Sequence, residues 1–176
     1  MYEAEVLMTD AESFDEYARS RLPMLGRVAY LLTGDAYLAD DLVQLTLLRL
    51  ASRWEHVSAA REPDAYVRRI LYTQHVSWWR RVRREALPVA VLPERAAADF
   101  SGDAATALAV RQALARLAPK QRAVLVLRYF EDLSETETAA VLGVAVGTVK
   151  SQTRDALARL RVIAPELSGS LAEVNR

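Results

Sequence analysis

Thr148, Lys150, Ser151 and Arg154 lie in the first half of a helix expected from about Gly147 to Arg161, just after a turn marked by Gly143. On a wheel of about 100° per residue, Val149, Thr153, Ala156, Leu157 and Leu160 form one buried stripe. Lys150, Arg154 and Arg161 gather on one flank, and Ser151 points away from the core. The free N–H groups of a helix N-terminus, with cations beside them, suit a phosphate, and polar side chains on such a helix can read base edges in a groove. Ser134-x-x-Glu137 is a capping box that opens a short helix ending near Leu142, which completes a helix-turn-helix. The alternative is an amphipathic helix whose Lys and Arg simply face water.

A second constellation is the segment DAYVRRILYTQHVSWWRRVRR, residues 64–84. From Arg61 to Arg84 there are seven arginines against Glu62 and Asp64, a net charge of about +5. Tyr66, Val67, Ile70, Leu71, Trp78 and Val82 share one helical face and are expected to be buried, whereas Trp79 projects toward Arg68 and Arg83. An aromatic ring beside guanidinium groups can stack an unpaired base while the cations neutralise its backbone. Packing of Trp79 on a neighbouring helix, with the arginines solvated, is an equally good account of these residues.

Asp40 and Asp41, in the run ADDLVQ, are adjacent carboxylates, but neighbours on a helix point about 100° apart and do not converge on a substrate. With no histidine or third acid nearby, a structural or protein-binding role is expected. His56 and His75 are far apart in sequence and read as solvated or packed residues, not metal ligands. The chain has no cysteine, which excludes disulfides and thiolate metal sites. Phosphate-loop, HExxH, GxSxG and GxGxxG patterns are absent, so no enzyme, no cofactor and no metal site is expected.

These surfaces require helices to carry them. Apolar residues recur at helical spacing along the 176 residues, and only six glycines and six prolines interrupt them, so the expected fold class is all-α. Ser13-x-x-Glu16 is expected to cap a first helix, and Thr33-Gly34-Asp35 to stop it. A second helix from about Ala36 to Trp54 carries Leu38, Leu42, Leu45 and Leu48 or Arg49 on its apolar face, and a loop follows over Glu55 to Glu62. Pro63 suits the first turn of a long helix to about Arg84. Residues 88–106, PVAVLPERAAADFSGDAAT, read as a linker, or else as a connector docked through Val89, Val91 and Leu92. Helices from Ala107 to Leu117 and from Pro119 precede the helix-turn-helix. The expected architecture is thus two small helical domains, 12–87 and 107–163, held as separate bodies on a pliant tether.

Twenty-three basic and 23 acidic residues give a net charge of +0, so bulk charge does not drive nucleic-acid binding, although local patches remain. At 52% hydrophobic and 26% charged, the composition is globular. The acidic N-terminus has no signal-peptide character, and no apolar run reaches the roughly 20 residues of a membrane span. A soluble cytoplasmic protein without membrane contact is expected.

Three motif series resemble the bacterial RNA polymerase sigma factors of the extracytoplasmic-function (group 4) type of the sigma-70 family. They are Asp41-Leu42-Val43-Gln44 with Arg49 and Leu50, then Tyr66-Val67-Arg68-Arg69-Ile70 through Trp78-Trp79-Arg80-Arg81, and Leu117-Ala118-Pro119-Lys120-Gln121-Arg122 followed by Leu127-Arg128-Tyr129, Glu131-Asp132-Leu133-Ser134 and Gly147-Thr148-Val149-Lys150-Ser151. The resemblance implies transcription initiation without catalysis, with core RNA polymerase and promoter DNA as partners and an anti-sigma factor as a further candidate. It implies that a region 2-like half binds polymerase through Asp40, Asp41, Gln44 and Arg49. The same half would meet the displaced −10 strand through Arg68, Arg69, Thr73, Gln74, Trp79, Arg80 and Arg83. A region 4-like half would read the −35 element through Thr148, Val149, Lys150, Ser151 and Arg154. Leu45, Leu47, Thr73 and Asp155 depart from the family's usual acid, phenylalanine, asparagine and cation, which leaves the promoter sequence open.

Two other readings fit the residues alone: a stand-alone helix-turn-helix regulator with a sensing or dimerising N-terminal domain, and a helical adaptor that binds only protein. The Trp-Arg helix separates the first from a sigma factor, because a simple repressor has no use for single-strand contacts. A salt-dependent affinity for DNA separates the second.

Overall fold

A computed structural model describes residues 2–59, 63–85 and 104–165, with side chains for 14–59, 63–79 and 107–165. Every regular element among the described residues is helical: α1 (Tyr2–Thr33), α2 (Ala36–Ala51), α3 (Trp54–Ala59), α4 (Pro63–Glu85), α5 (Ala104–Ala115), α6 (Pro119–Leu125) with a π-helical turn (Val126–Phe130), α7 (Glu135–Leu142) and α8 (Val146–Ile163). The expected linker lies outside the described residues up to position 103, and α5 starts at Ala104 instead of Ala107.

The first helix does not begin at the Ser13 box. It runs through that box from Tyr2, because residues 2–12 contain neither glycine nor proline and nothing there stops a helix. Its stop is as expected. Gly34 takes the left-handed backbone (φ +74°), and the Asp35 carboxylate accepts the Leu38 N–H at 2.9 Å to cap α2. On α2 the buried stripe is Ala39, Leu42, Val43, Thr46 and Leu50. Leu45 and Leu48, expected inside with Leu42, instead face outward at 49% and 67% exposure. The helix ends at Ala51, and the loop expected after Trp54 is largely the short helix α3. Packing imposes α3: Trp54 wedges between Phe14 (5.4 Å, edge-on) and Tyr17 (5.1 Å), and Val57 is buried beneath it.

Pro63 opens α4 as expected, and Asp64 ties its first turn to α1. The Asp64 carboxylate accepts a forked pair from Arg21 Nε and Nη2, both 2.8 Å, and the Tyr17 hydroxyl at 2.8 Å. Partial burial favours its protonated form, but these three donors outweigh that and hold the carboxyl below the usual carboxylate range.

In the C-terminal half, Ser134 Oγ accepts the Glu137 N–H (3.2 Å) while Glu137 accepts the Ser134 N–H (2.8 Å), which is the capping box read in the sequence. Gly143 ends α7 in the left-handed conformation, φ +65°. Val149, Ala156 and Leu160 are the buried residues of α8, backed by half-buried Thr153 and Leu157.

The two halves are not apart. Leu25, Val28, Leu32, Val67 and Leu71 from the first share one continuous core with Leu114, Leu117, Ala123 and Leu127 from the second. The α1–α2 turn meets α5 so closely that a Cβ on Gly34 would lie 3.5 Å from Ala115 Cβ. The expected separate bodies are therefore joined along a seam between α1 and α4 on one side and α5, α6 and α7 on the other.

Candidate nucleic-acid interface

Lys150 and Arg154 stand on the outer face of α8, with side chains 62% and 77% exposed. Lys150 reaches Glu135 on the preceding helix at 3.6 Å, and Arg154 lies 3.3 Å from neighbouring Asp155. Both are loose surface pairs that a phosphate can displace. The half-buried Ser151 donates to the Thr148 carbonyl (3.0 Å), so its hydroxyl is occupied by its own helix. Val149 does not belong among DNA-contacting residues. It is fully buried against Val124 and Ala139, where its branched side chain fixes the angle of α8 on α7 and α6. Thr148 is exposed at the edge of a cleft of about 320 Å³ shared with Gln152, Val149 and Gly143 on one wall and Tyr72, Thr73 and Val76 of α4 on the other.

Along α4, Val67, Ile70 and Leu71 are buried and Tyr66 and Trp78 half-buried, as their shared face requires; Val82 lies outside the described side chains. Two residues that the periodicity did not single out, Tyr72 and His75, are also sealed in, because the C-terminal half covers a second side of the helix. Of the residues assigned to the −10 strand, Arg69 is exposed and Gln74 half-buried. Thr73 turns its hydroxyl back onto the carbonyls of Arg69 (2.6 Å) and Ile70 (3.1 Å). Arg68 is 29% exposed and its Nε donates to Glu131 Oε2 at 2.5 Å; Glu131 itself is only 5% exposed. Trp79 is half-buried, set edge-on to Trp78 (5.2 Å), with the Arg122 guanidinium 5.9 Å from its ring centre. The side chains of Arg80 and Arg83 lie outside the described residues.

Arg122, known from sequence only as part of a motif, proves to be the centre of the seam. Its side chain is buried, and burial pushes its pKa down to about 10, so it keeps its charge at neutral pH. Nη1 donates to the Leu32 carbonyl at 2.5 Å, and Nη2 donates to the Ala115 (2.7 Å) and Leu117 (3.4 Å) carbonyls. One guanidinium thus ties the end of α1 to the α5–α6 connection.

Burial and the nearby Arg122 cation lower the His75 pKa from its ordinary value near 6.5 to about 3. An unfolded chain would take up a proton near pH 6.5 while the folded protein refuses it until about pH 3. Folding stability therefore falls as pH drops through that window, by about 1.4 kcal/mol per pH unit where His75 alone differs. Urea unfolding of the whole chain between pH 7 and pH 5 is expected to show this slope, and His75→Leu is expected to flatten it. A slope unchanged in the variant would show that His75 is not its source.

On α2, Asp40, Asp41, Gln44 and Arg49 are all exposed. Asp41, Gln44 and Arg49 border a cleft of about 410 Å³ between α2 and α4, together with Leu45, Leu48, Gln74 and Trp78. The outward leucines, joined by Tyr37 at 55% exposure, make this helix an apolar surface as well as a charged one. The described His, Asp and Glu side chains include no cluster able to hold a metal ion. No described helix is long and apolar enough to cross a membrane.

Both halves match known family models: Sigma-70 region 2 over residues 17–85 and Sigma-70, region 4 over residues 107–160. RNA polymerase sigma-E factor of Streptomyces coelicolor is 43% identical over 154 residues, which cover 88% of this chain and 87% of that protein. ECF RNA polymerase sigma factor SigL of Mycobacterium tuberculosis is 35% identical over 162 residues, 88% of each chain. Among solved structures, the sigma factor RpoE of Bartonella quintana, in complex with the anti-sigma factor NepR, has a TM-score of 0.69 and 26% identity, covering 85% of this chain and 95% of that one. CnrH in complex with the cytosolic domain of CnrY shares the fold, with a TM-score of 0.58, 23% identity, and coverage of 89% of this chain and 90% of that one. The chain belongs to the sigma-70 family of bacterial RNA polymerase sigma factors, in its extracytoplasmic-function group. It is a promoter-directing factor of transcription initiation.

Proposed function

We propose that the chain works by dividing promoter recognition between its halves. The region 4 half lays α8 in the major groove of the −35 element, with Lys150 and Arg154 on phosphates or base edges and Thr148 and Ser151 at the helix N-terminus. The region 2 half holds the displaced strand of the −10 element along α4, with Arg68 and Arg69 on phosphates and Trp79 against a base. Unstacking a base costs a few kcal/mol, and a ring beside guanidinium groups is suited to offsetting that. The surface of α2 around Asp41, Gln44, Arg49 and the outward leucines docks on core polymerase. The chain acts by binding and supplies no catalytic group. By likeness to RpoE, which is bound to NepR, an anti-sigma factor is proposed as a regulating partner.

The observation that carries this reading is the exposure of Lys150 and Arg154 on one flank of α8, turned away from buried Val149, Ala156 and Leu160. A net-neutral protein with two modest cationic patches binds promoter DNA weakly alone, but polymerase fixes the spacing of both patches so that the second contact becomes intramolecular. Lys150→Ala and Arg154→Ala are each expected to lower transcription from a −35-dependent promoter by about tenfold, the loss of roughly 1–2 kcal/mol of contact. Polymerase binding, read by co-purification, is expected to stay intact. Loss of polymerase binding in either variant would mean that the surfaces are misassigned.

A further inference from the structure

On the outer side of α8, among Lys150, Ser151 and Arg154, Asp155 carries the wrong charge for a phosphate. Its side chain is 56% exposed in the middle of the helix. The fold does not call for an acid at this place. Acidic residues favour the first turn of a helix, where the dipole is positive, and aspartate is a weak former of helix interiors. Among the described residues its ion-pair partner is Arg154, at 3.3 Å, a sequence neighbour that leaves the helix about 100° away. An exposed pair of this kind adds little to stability.

Helical spacing puts Asp155 within reach of a base. Opposite buried Val149, Ala156 and Leu160 runs a line of small residues, Gly147, Ser151 and Ala158, with Arg154 on one side of it and Asp155 on the other. Small side chains on that line let the helix backbone come close to the floor of a major groove, so a side chain as short as aspartate spans the remaining gap. Asp155 stands one turn after Ser151, about 6 Å along the axis at about 1.5 Å per residue, which is close to two base-pair steps of about 3.4 Å.

Base edges in that groove present acceptors at guanine O6 and N7, adenine N7 and thymine O4, all of which repel a carboxylate, and amino donors at cytosine N4 and adenine N6. The adenine amino group lies between two acceptors, N7 of its own ring and O4 of the paired thymine. The cytosine amino group has a C–H edge on its open side, so it alone receives a carboxylate without opposition. We infer that Asp155 is a specificity-determining residue: its carboxylate accepts a hydrogen bond from the N4 amino group of one cytosine in the −35 element and disfavours every other base at that position. This rests on the placement of α8 in the major groove proposed above. Arg154, held 3.3 Å away, offsets the repulsion between the carboxylate and the phosphates that flank the groove. An acid left facing an acceptor is penalised, and that penalty sharpens the choice of base.

Polymerase reconstituted with the full chain, bound to promoter duplexes whose −35 element is randomised and sequenced before and after selection, reads the preference at each position. Competition between chosen duplexes reads affinity. The parent is expected to favour cytosine at one position by about tenfold. Asp155→Ala is expected to flatten that position alone, and to bind duplexes lacking the cytosine more tightly than the parent does, because the acid no longer opposes them. Asp155→Asn, whose amide donates as well as accepts, is expected to move the preference at that position toward adenine. Preferences unchanged at every position in both variants would overturn the inference. A uniform rise in affinity across all sequences would overturn it too, since that marks a carboxylate that only repels phosphates. Lys150→Ala, run alongside, is expected to weaken binding to the library as a whole. If it does so while both Asp155 variants keep the parent's preferences, the inference fails and the groove placement of α8 stands. If all three variants match the parent in preference and affinity, α8 does not lie in the groove and both fail.

Discussion

Replacing Leu45 and Leu48 together with aspartate is expected to weaken binding to core RNA polymerase by about 100-fold while leaving the fold intact. Both leucines already sit in water at 49% and 67% exposure, and surface substitutions of this kind usually change stability by only about 0.5 kcal/mol. On a partner they would lose that exposure, and a fully buried leucine is worth roughly 1.5–3 kcal/mol. Two leucines, partly buried, supply about 3 kcal/mol, or about 100-fold at 1.4 kcal/mol per decade. A carboxylate forced into the same apolar contact adds a further penalty. Titration of labelled protein with core polymerase measures the effect, and thermal unfolding checks the fold. Undiminished affinity would place the polymerase contact elsewhere than on α2.

Arg122→Ala is expected to cost about 3 kcal/mol of folding stability. Three carbonyls, those of Leu32, Ala115 and Leu117, lose their donor in a buried site. Hydrogen bonds from a charged donor are each worth about 1.5–3 kcal/mol, and relief from burying the cation returns part of the total. Arg122→Lys is expected to recover only a fraction, because one ammonium cannot span the carbonyls that the planar fork reaches. Denaturant unfolding followed by helix signal reads the loss. Because Arg122 joins the halves, the variant is also expected to unfold in two steps where the parent unfolds in one. A loss below about 1 kcal/mol in a single transition would mean that Arg122 is not what joins the halves.

Features set by a few adjacent residues were legible in the sequence. Ser134 and Glu137 cap α7, Pro63 and Pro119 open α4 and α6, Gly34 and Gly143 take left-handed turns, and the stripe of α8 follows its 3.6-residue period. The same local rule failed at Ser13, because a capping pattern permits a helix start without enforcing one when the upstream residues also favour helix. On α2, spacing alone could not separate Leu45 and Leu48 from Ala39, Val43, Thr46 and Leu50. A leucine that faces water has the same spacing along the helix as one that faces the core. Buried Arg122, neutral His75 and the Arg68–Glu131 pair were out of reach for a different reason. Each depends on which helices of the second half meet α1 and α4, a contact across 60 or more residues in the case of Arg68 and Glu131. A buried arginine reads like a solvated one until its neighbours are known. The extra residue that makes the π turn leaves no mark in composition.

Strand opening is the act on which the division of labour depends, and permanganate reactivity of thymines measures it on DNA directly. Polymerase reconstituted with this chain is expected to render thymines reactive within the −10 region of promoters drawn from a genomic library, with markedly weaker reactivity for Trp79→Ala at equal polymerase occupancy. Thymines that stay unreactive on every promoter, with the chain bound to polymerase, would contradict the account.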